Sequence, residues 1–209
     1  YVTARDRSSV GKGAITIIPF LDLNNDNKFD KMEPEVSGLE IKNMGGYVLY
    51  NEAKTQLRIY DVQPYNNFVI QVDTLSLDNI AWKVEKSVIA IETLPNQFKT
   101  IYVPVKVLGE VSGMVYLKDE DKVLGQGRIL VSIVNANKEL IAEVMTEGDG
   151  YFTYPGLAPG KYTAEINKEQ LNNLNYLSDP GSTNFEIKIS EYGDIVDDLE
   201  FTLKKQTQE

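Results

Sequence analysis

The chain has 209 residues, a net charge of −10, and neither Cys nor His. Without Cys or His it lacks the ligands of ordinary zinc sites, thiol nucleophiles and catalytic triads that use an imidazole base. The negative charge argues against a nucleic-acid partner, which needs clustered Lys and Arg, and no run reaches the roughly 18 apolar residues of a membrane span.

Segments with alternating apolar and polar residues recur along the chain between Gly, Pro and Asn clusters, and this pattern predicts strands. In the first half the predicted strands are AITIIPFLD (14–22), LEIKNM (39–44), YVLYN (47–51), LRIYDV (57–62), NFVIQVD (67–73) and KTIYVPVKV (99–107). In the second half they are VSGMVYLKD (111–119), GRILVSIVN (127–135), LIAEVMT (140–146), YFTYPG (151–156), KYTAEIN (161–167), NFEIKIS (184–190) and DLEFTL (198–203). KEQLNNLN (168–175) is the best candidate for a short helix, and SEYGDIVDDLE (190–200) is predicted to form an exposed loop and an edge strand. The predicted fold class is all-β.

The two halves resemble each other in the order of strand, Pro turn, strand, polar segment and final strand. LRIYDVQPYNNFVIQVDTLSLDNIAWKV aligns with YFTYPGLAPGKYTAEINKEQLNNLNYLS if one residue is added in the Pro turn. The alignment matches Tyr60 with Tyr154, Val62 with Leu157, Pro64 with Pro159, Phe68 with Tyr162, Leu77 with Leu171 and Trp82 with Tyr176. It predicts an N-terminal tail (1–13) and two tandem β-sandwich domains, 14–106 and 107–209.

The stretch DLNNDNKFDKME (22–33) carries an oxygen-bearing side chain at almost every second position. With Asp22 as position 1, oxygen ligands fall at positions 1, 3, 5, 7, 9 and 12 of the calcium loop of an EF-hand. The predicted ligands are Asp22, Asn24, Asp26, the Lys28 carbonyl, Asp30 and Glu33. Asn27 stands at position 6, where that loop has Gly, and Asn is among the non-Gly residues that best tolerate left-handed backbone geometry. The sequence predicts one Ca²⁺ site here, set between strands.

A solvated turn that hydrogen-bonds its own backbone is the alternative interpretation of this stretch. The equivalent part of the second half, YLKDEDKVLGQG (116–127), has acids at Asp119, Glu120 and Asp121 but lacks the later Asp and Glu. We therefore expect an exposed turn there. A turn needed only to connect strands does not require the additional acids of the first half, and this contrast favours the cation site.

The segment 113–166 has an initial G-x-V strand, the turn TEGDG before Tyr151 and Phe152, and the motif GLAPGKY. In these features it resembles carboxypeptidase regulatory-like and Cna protein B-type domains, which are prealbumin-like sandwiches. The segment IIPFLDLNNDNKFDKMEPEVSGLEI (17–41) looks like the calcium-binding B-type repeats of bacterial surface adhesins such as the Sdr proteins. The resemblance implies two prealbumin-like, Ig-like sandwiches of about seven strands each, from a bacterial cell-surface, outer-membrane-associated or secreted protein.

That resemblance implies a non-catalytic structural spacer or adhesive module, with neighbouring domains of a longer chain as its first partners and a host or cell-surface protein or glycan as a further one. Nothing in the sequence marks a carboxylate pair for hydrolysis, so we do not expect an enzyme. A carbohydrate-binding module that uses exposed aromatics is the alternative. Trp82 is the test of that alternative, because an exposed Trp82 favours glycan binding and a buried one counts against it.

Overall fold

A computed structural model of the chain describes residues 10–42 and 45–206. The chain forms two compact units, which divide between Val107 and Leu108. Each unit consists of β-sheets that enclose an apolar core, so the predicted all-β class is confirmed. Most of the predicted tail (1–13) lies outside the described residues, and the first strand begins within it at Gly13. Across the part of the chain that is described, no helix is both long and apolar enough to cross a membrane.

The first unit contains two sheets. Its strands are β1 Gly13–Leu21, β2 Glu40–Lys42, β3 Tyr47–Tyr50, β4 Leu57–Val62, β5 Asn67–Asp73, β6 Trp82–Val84, β7 Val88–Glu92 and β8 Phe98–Val107. One sheet has the order β3-β4-β1-β8-β6 and the other the order β2-β5-β7. Ile15 and Ile59 of the first sheet and Ile70 of the second are fully or almost fully buried in one cluster. Burial of each such side chain contributes about 1.5–3 kcal/mol to folding.

The second unit is also built from two sheets. Its elements are β9 Gly109–Asp119, β10 Lys122–Gly125, β11 Leu130–Asn135, β12 Leu140–Met145, β13 Tyr151–Leu157, β14 Gly160–Ile166, α1 Lys168–Leu174, β15 Tyr176–Asp179, β16 Ser182–Ile187 and β17 Ile195–Lys205. One sheet has the order β10-β9-β17-β15, with β13 also paired to β9, and the other has the order β12-β11-β14-β16. Phe152 and Phe201 lie at its centre, fully buried, with ring centroids 6.5 Å apart.

In each unit the first and last strands are parallel neighbours. β1 pairs with β8 from Ala14↔Phe98 to Leu21↔Val105. β9 pairs with β17 from Ile195↔Glu110 to Lys204↔Lys118. Parallel neighbours cannot be joined by a hairpin, so this pairing brings together strands from opposite ends of each unit's sequence. The remaining pairings between described strands are antiparallel.

Positions matched by the internal alignment occupy equivalent places in the two units. Val62 and Leu157 are both buried in their respective cores. Three matched pairs are partly buried and pack against those cores, namely Phe68 and Tyr162, Leu77 and Leu171, and Trp82 and Tyr176. The units differ in one pairing, because β3 pairs with β4 whereas β12 pairs with β11.

The structure refines several predicted elements. Among the described residues the units have eight and nine strands, more than the seven expected for each, because β6, β7, β10 and β15 were not predicted. The short helix is confirmed as α1, and the side chain of its N-cap Asn167 accepts from the Gln170 N–H at 3.0 Å. The predicted edge strand at the chain's end is wrong, since β17 lies between β9 and β15. Of the predicted strand 39–44, residues 43 and 44 lie outside the described residues.

Gly113 marks a point where β9 and β17 approach closely. A Cβ added at Gly113 would lie 2.1 Å from the Leu199 carbonyl oxygen, whereas one at Gly148 would meet nothing within 4 Å. We expect Gly113→Ala to lower the free energy of unfolding of the second unit by at least about 2 kcal/mol, because backbone must move to admit the methyl group. Gly148→Ala is the matched control, with an expected change within about 0.5 kcal/mol. Urea unfolding of both variants checks this, and equal stability would contradict the packing described.

Candidate metal centre

The acidic loop, residues 22–33, extends from the end of β1 and is closed at its base by backbone hydrogen bonds. The Leu21 N–H donates to the Pro34 carbonyl at 2.9 Å, and the Val36 N–H donates to the Pro19 carbonyl at 2.9 Å. The Asp22 N–H donates to the Val105 carbonyl of β8 at 3.0 Å, so the first residue of the loop is fixed to the parallel ladder. The loop therefore starts and ends on rigid backbone.

Two of the predicted ligands are buried carboxylates. Asp22 is 2% exposed and Glu33 is 7% exposed. Asp22 Oδ1 accepts from the Asp26 N–H and Oδ2 from the Asn27 N–H, both at 3.1 Å. Glu33 Oε1 accepts from the Leu23 N–H at 3.1 Å and Oε2 from the Asp30 N–H at 2.9 Å. These bonds hold both carboxylates inside the loop, with all four oxygens directed at its backbone.

The other side-chain candidates are exposed and form hydrogen bonds within the middle of the loop. The Asp26 N–H also donates to Asn24 Oδ1 at 2.9 Å, and the Lys28 N–H donates to Asp26 Oδ1 at 2.7 Å. Asn24 Nδ2 donates to Asp30 Oδ2 at 3.1 Å. Asn27 has a φ of 59°, the left-handed geometry that its position predicts. The structure thus joins the five predicted side chains into one hydrogen-bonded loop.

Burial of two carboxylates in one loop is electrostatically unfavourable unless positive charge is supplied. Among the residues that the structure describes, no Lys or Arg nitrogen lies within 4.0 Å of the carboxylate of Asp22 or Glu33. The donors of the loop are carboxylate, amide and carbonyl oxygens, which are the ligands that Ca²⁺ prefers. An oxygen that accepts one hydrogen bond still has a lone pair for a cation. The chemistry of the donor set therefore fits a hard divalent cation.

The loop also has the features of the alternative, a turn that bonds its own backbone. Within residues 10–42 and 45–206, no group of three or more Asp and Glu side chains is arranged as a metal-binding cluster. The hydrogen bonds that Asn24 and Asp26 accept from the N–H two residues further on are those of Asx turns. The ligand set Asp22, Asn24, Asp26, Lys28, Asp30 and Glu33 accordingly stays a prediction.

An aromatic contact that the sequence did not predict attaches this loop to β1 and β8. The Phe29 ring stacks on the Tyr102 ring of β8, with centroids 4.6 Å apart and planes 5° apart. It also meets Phe20 of β1 edge to face at 5.4 Å. The available signal was that Phe29 is the one aromatic residue of the loop sequence 22–33. Its partner on β8 could not be identified from spacing.

The equivalent region of the second unit is short. β9 and β10 form a hairpin across Asp119↔Lys122, and Glu120 adopts a left-handed φ of 52°. Asp119 is exposed and forms an ion pair with Lys205, with Nζ and Oδ1 3.2 Å apart. The predicted exposed turn is confirmed here. Its acids are solvated or paired, whereas Asp22 and Glu33 of the acidic loop are buried.

The aromatic side chains weighed for glycan binding have structural contacts. Trp82 is half-buried and packs against the apolar core of the first unit. Tyr162 donates its O–H to the Ala158 carbonyl at 2.7 Å and stacks on Phe185, and burial raises the pKa of its phenol. Tyr47, Tyr50 and Tyr65 of the first unit and Tyr192 of the second are exposed. The position of Trp82 favours a structural role for the residue on which the glycan alternative depended.

No protein-family model matches the chain, and no curated protein sequence matches it. Among solved structures it is similar to the Bacillus anthracis TIE protein, at 16% identity over 93% of this chain and 34% of that chain, with a TM-score of 0.40. It is also similar to GBS52, the minor pilin of Streptococcus agalactiae, at 12% identity, with coverage of 94% and 98% and a TM-score of 0.42. It is similar as well to the shaft pilin SpaA from Lactobacillus rhamnosus GG, at 9% identity over 95% of this chain and 99% of that chain, with a TM-score of 0.38. The chain thus spans 34% of the length of the first of these proteins. Likenesses at these identities and TM-scores assign neither a family nor a function.

Proposed function

We propose that the chain is a non-catalytic, load-bearing spacer or adhesive module of a bacterial cell-surface or secreted protein, with one Ca²⁺ bound in the acidic loop of its first unit. The observation that carries the spacer role is the parallel pairing of first and last strands in both units. The cation role rests on the buried carboxylates of Asp22 and Glu33 and on the oxygen-only donor set. Ca²⁺ would supply a positive charge next to Asp22 and Glu33, within 4.0 Å of which no described Lys or Arg nitrogen lies.

Parallel terminal strands resist a force applied through the two chain ends of a unit. Such a force pulls β1 and β8 in opposite directions along their axes, and the same holds for β9 and β17. The hydrogen bonds of each ladder are then loaded together rather than one after another. Only Leu108 lies between β8 and β9, so the chain passes from one ladder to the next almost directly.

The proposed cation site lies at one end of the first ladder. Asp22 is its first ligand, and the backbone of Asp22 is already bonded to Val105 of β8. Ligation of Asp22 and Glu33 by the same ion would join the loop's two ends through the metal. Binding to the folded unit alone then stabilises that unit by mass action. The cation would take the role that disulfides play in chains that contain Cys.

Partners follow from the proposed role. Neighbouring domains of a longer chain would load the module through its two ends. A host or cell-surface protein or a glycan would be the ligand of an adhesive form. The half-buried Trp82 packs against the core and gives the glycan version no specific support, which favours the spacer version.

Force spectroscopy tests the load-bearing role. The chain is pulled in two geometries, either through its two ends or through its N-terminal end and the thiol of the variant Ile195→Cys. We expect the second unit to unfold at a higher force in the first geometry. Ile195 is 67% exposed and pairs with Glu110 near the start of β9, so force applied there opens the ladder from one end. The chain contains no Cys, and one introduced thiol therefore defines the attachment.

Unfolding of the first unit is the internal reference in this experiment, because its loading is the same in both geometries. Forced unfolding reports the unfolding rate under load rather than equilibrium stability. Equal unfolding forces for the second unit in the two geometries would contradict a ladder that bears load.

Thermal melts with Ca²⁺ and with chelator test the cation role. At 100 times the dissociation constant, binding adds about 2.7 kcal/mol, which is a rise of roughly 10 °C or more in the Tm of a unit of this size. Asp26→Ala should remove most of this rise and change the melt in chelator little, because Asp26 is exposed. Asp22→Ala should lower stability even in chelator by about 1–3 kcal/mol, since the Asn27 N–H loses its acceptor.

Asp121→Ala, in the exposed β9–β10 hairpin of the second unit, is the matched control and should behave as wild type in both conditions. A wild-type Tm that is the same in Ca²⁺ and in chelator would rule out the proposed ion.

A further inference from the structure

The outer face of β1 holds a buried aromatic residue that the interior core does not cover. Ile15, Ile17 and Leu21 point into the core of the first unit. Alternation along the strand places Phe20 on the opposite face. Phe20 is nevertheless fully buried. It therefore requires a cover outside the sandwich.

The acidic loop contributes to that cover through Phe29. The Phe29 ring meets Phe20 edge to face at 5.4 Å and stacks on Tyr102 at 4.6 Å, and Phe20 and Tyr102 meet edge to face at 6.5 Å. We call these three residues the aromatic clasp. Phe20 and Tyr102 stand on strands paired in the parallel ladder, so the clasp attaches the loop to both strands of that ladder.

Phe29 lies between two of the predicted ligands of the loop. It lies between Lys28, whose carbonyl is a predicted ligand, and Asp30, whose carboxylate is another. Fixing the ring of Phe29 therefore restricts the backbone that carries both ligands. Leu23 packs against the interior core near the start of the loop. The clasp provides the corresponding anchor in its second half.

The loop also contains backbone geometry that needs external support. Asn25 and Asn27 both have a φ of 59°, a conformation that costs free energy for residues other than Gly. Free carboxylates close together would repel one another and favour an open loop. An anchor that does not depend on the ion would counter both effects.

We infer that Phe29 is a positioning residue, which holds the acidic loop in its binding geometry before any cation arrives. The anchoring of the second half of the loop by the clasp does not depend on the proposed calcium site. Its benefit for affinity rests on the proposed calcium site, because a ligand binds more weakly when the competent conformation is only partly populated. The clasp thus couples an apolar contact on the outer face of the sheet to a polar site at its edge.

Trypsin cleavage after Lys31 in chelator is the direct test, since Lys31 is exposed within the loop. Tyr102→Ala leaves the loop sequence unchanged but removes the ring on which Phe29 stacks. We expect it to speed cleavage after Lys31 by roughly tenfold, the size of effect that loss of an aromatic pair has on a local opening equilibrium. Tyr102→Phe keeps the stack and should match wild type.

Phe98→Ala is the matched control, because Phe98 stands on β8 as well and is 82% exposed. It should leave the cleavage rate unchanged. Cleavage after Lys86, exposed between β6 and β7, separates loop release from loosening of the whole unit. A rise at Lys31 without a rise at Lys86 supports the clasp. An unchanged rate at Lys31 in Tyr102→Ala, or an equal rise at both sites, would overturn it.

Calorimetric titration with Ca²⁺ gives the second readout. Tyr102→Ala and Phe29→Ala should weaken binding, by at most the factor seen in cleavage, whereas Phe98→Ala should not. If both variants bind Ca²⁺ as tightly as wild type, the coupling to affinity is wrong. If wild type binds no Ca²⁺, the proposed calcium site fails while the cleavage test of the clasp still holds.

Discussion

The parallel ladder between first and last strands is the constraint on which each unit depends. It joins residues that are farthest apart in the unit's sequence, and the remaining strands add to its edges or cover its inner face. In the first unit the ladder also determines where the acidic loop begins. The last pair of the ladder is Leu21 with Val105, and the N–H of the next residue, Asp22, donates to the Val105 carbonyl. The first residue of the loop is thereby fixed to the ladder by a backbone hydrogen bond. Fold and candidate site are therefore parts of one arrangement.

Within the acidic loop, the buried carboxylates matter more than the number of acids. Burial of an ionised Asp or Glu costs solvation free energy. Asp22 and Glu33 are nevertheless almost fully buried, and their oxygens accept hydrogen bonds from backbone N–H groups. Those bonds offset part of the desolvation cost and also set the spacing of the donors. Asn24, Asp26 and Asp30 are exposed. Substitution of a buried carboxylate should therefore lower stability even without Ca²⁺, whereas substitution of an exposed ligand should affect mainly Ca²⁺ binding.

Much of the fold could be predicted from local pattern. The long strands alternate apolar and polar residues clearly, and the candidate helix carries its own N-cap in Asn167. Short strands such as β6 and β10 have too few residues for a period to be visible, and they exist because β8 and β9 offer them an edge. The error at β17 has a local cause. The strand has a bulge between Val196 and Leu199, where Asp198 adopts a left-handed φ of 63°. Asp197 and Asp198 stay exposed at this bulge, so an interior strand can contain them.

The candidate site was predictable to the level of residue identity and no further. Spacing indicated which side chains carry oxygen at the required positions, and it indicated that Asn27 would adopt left-handed geometry. Burial of Asp22 and Glu33 and the stacking of Phe29 on Tyr102 depend on strands brought together by the fold. Contacts between residues distant in the sequence are not visible in local spacing.

Diffraction from crystals grown in millimolar Ca²⁺ is the most direct test of the central claim. The account predicts one ion in the acidic loop, coordinated by oxygens of Asp22, Asn24, Asp26, Asp30 and Glu33 and by the Lys28 carbonyl, at about 2.3–2.6 Å. A loop that holds no ion under these conditions, with its side chains bonded only to its own backbone, would contradict it.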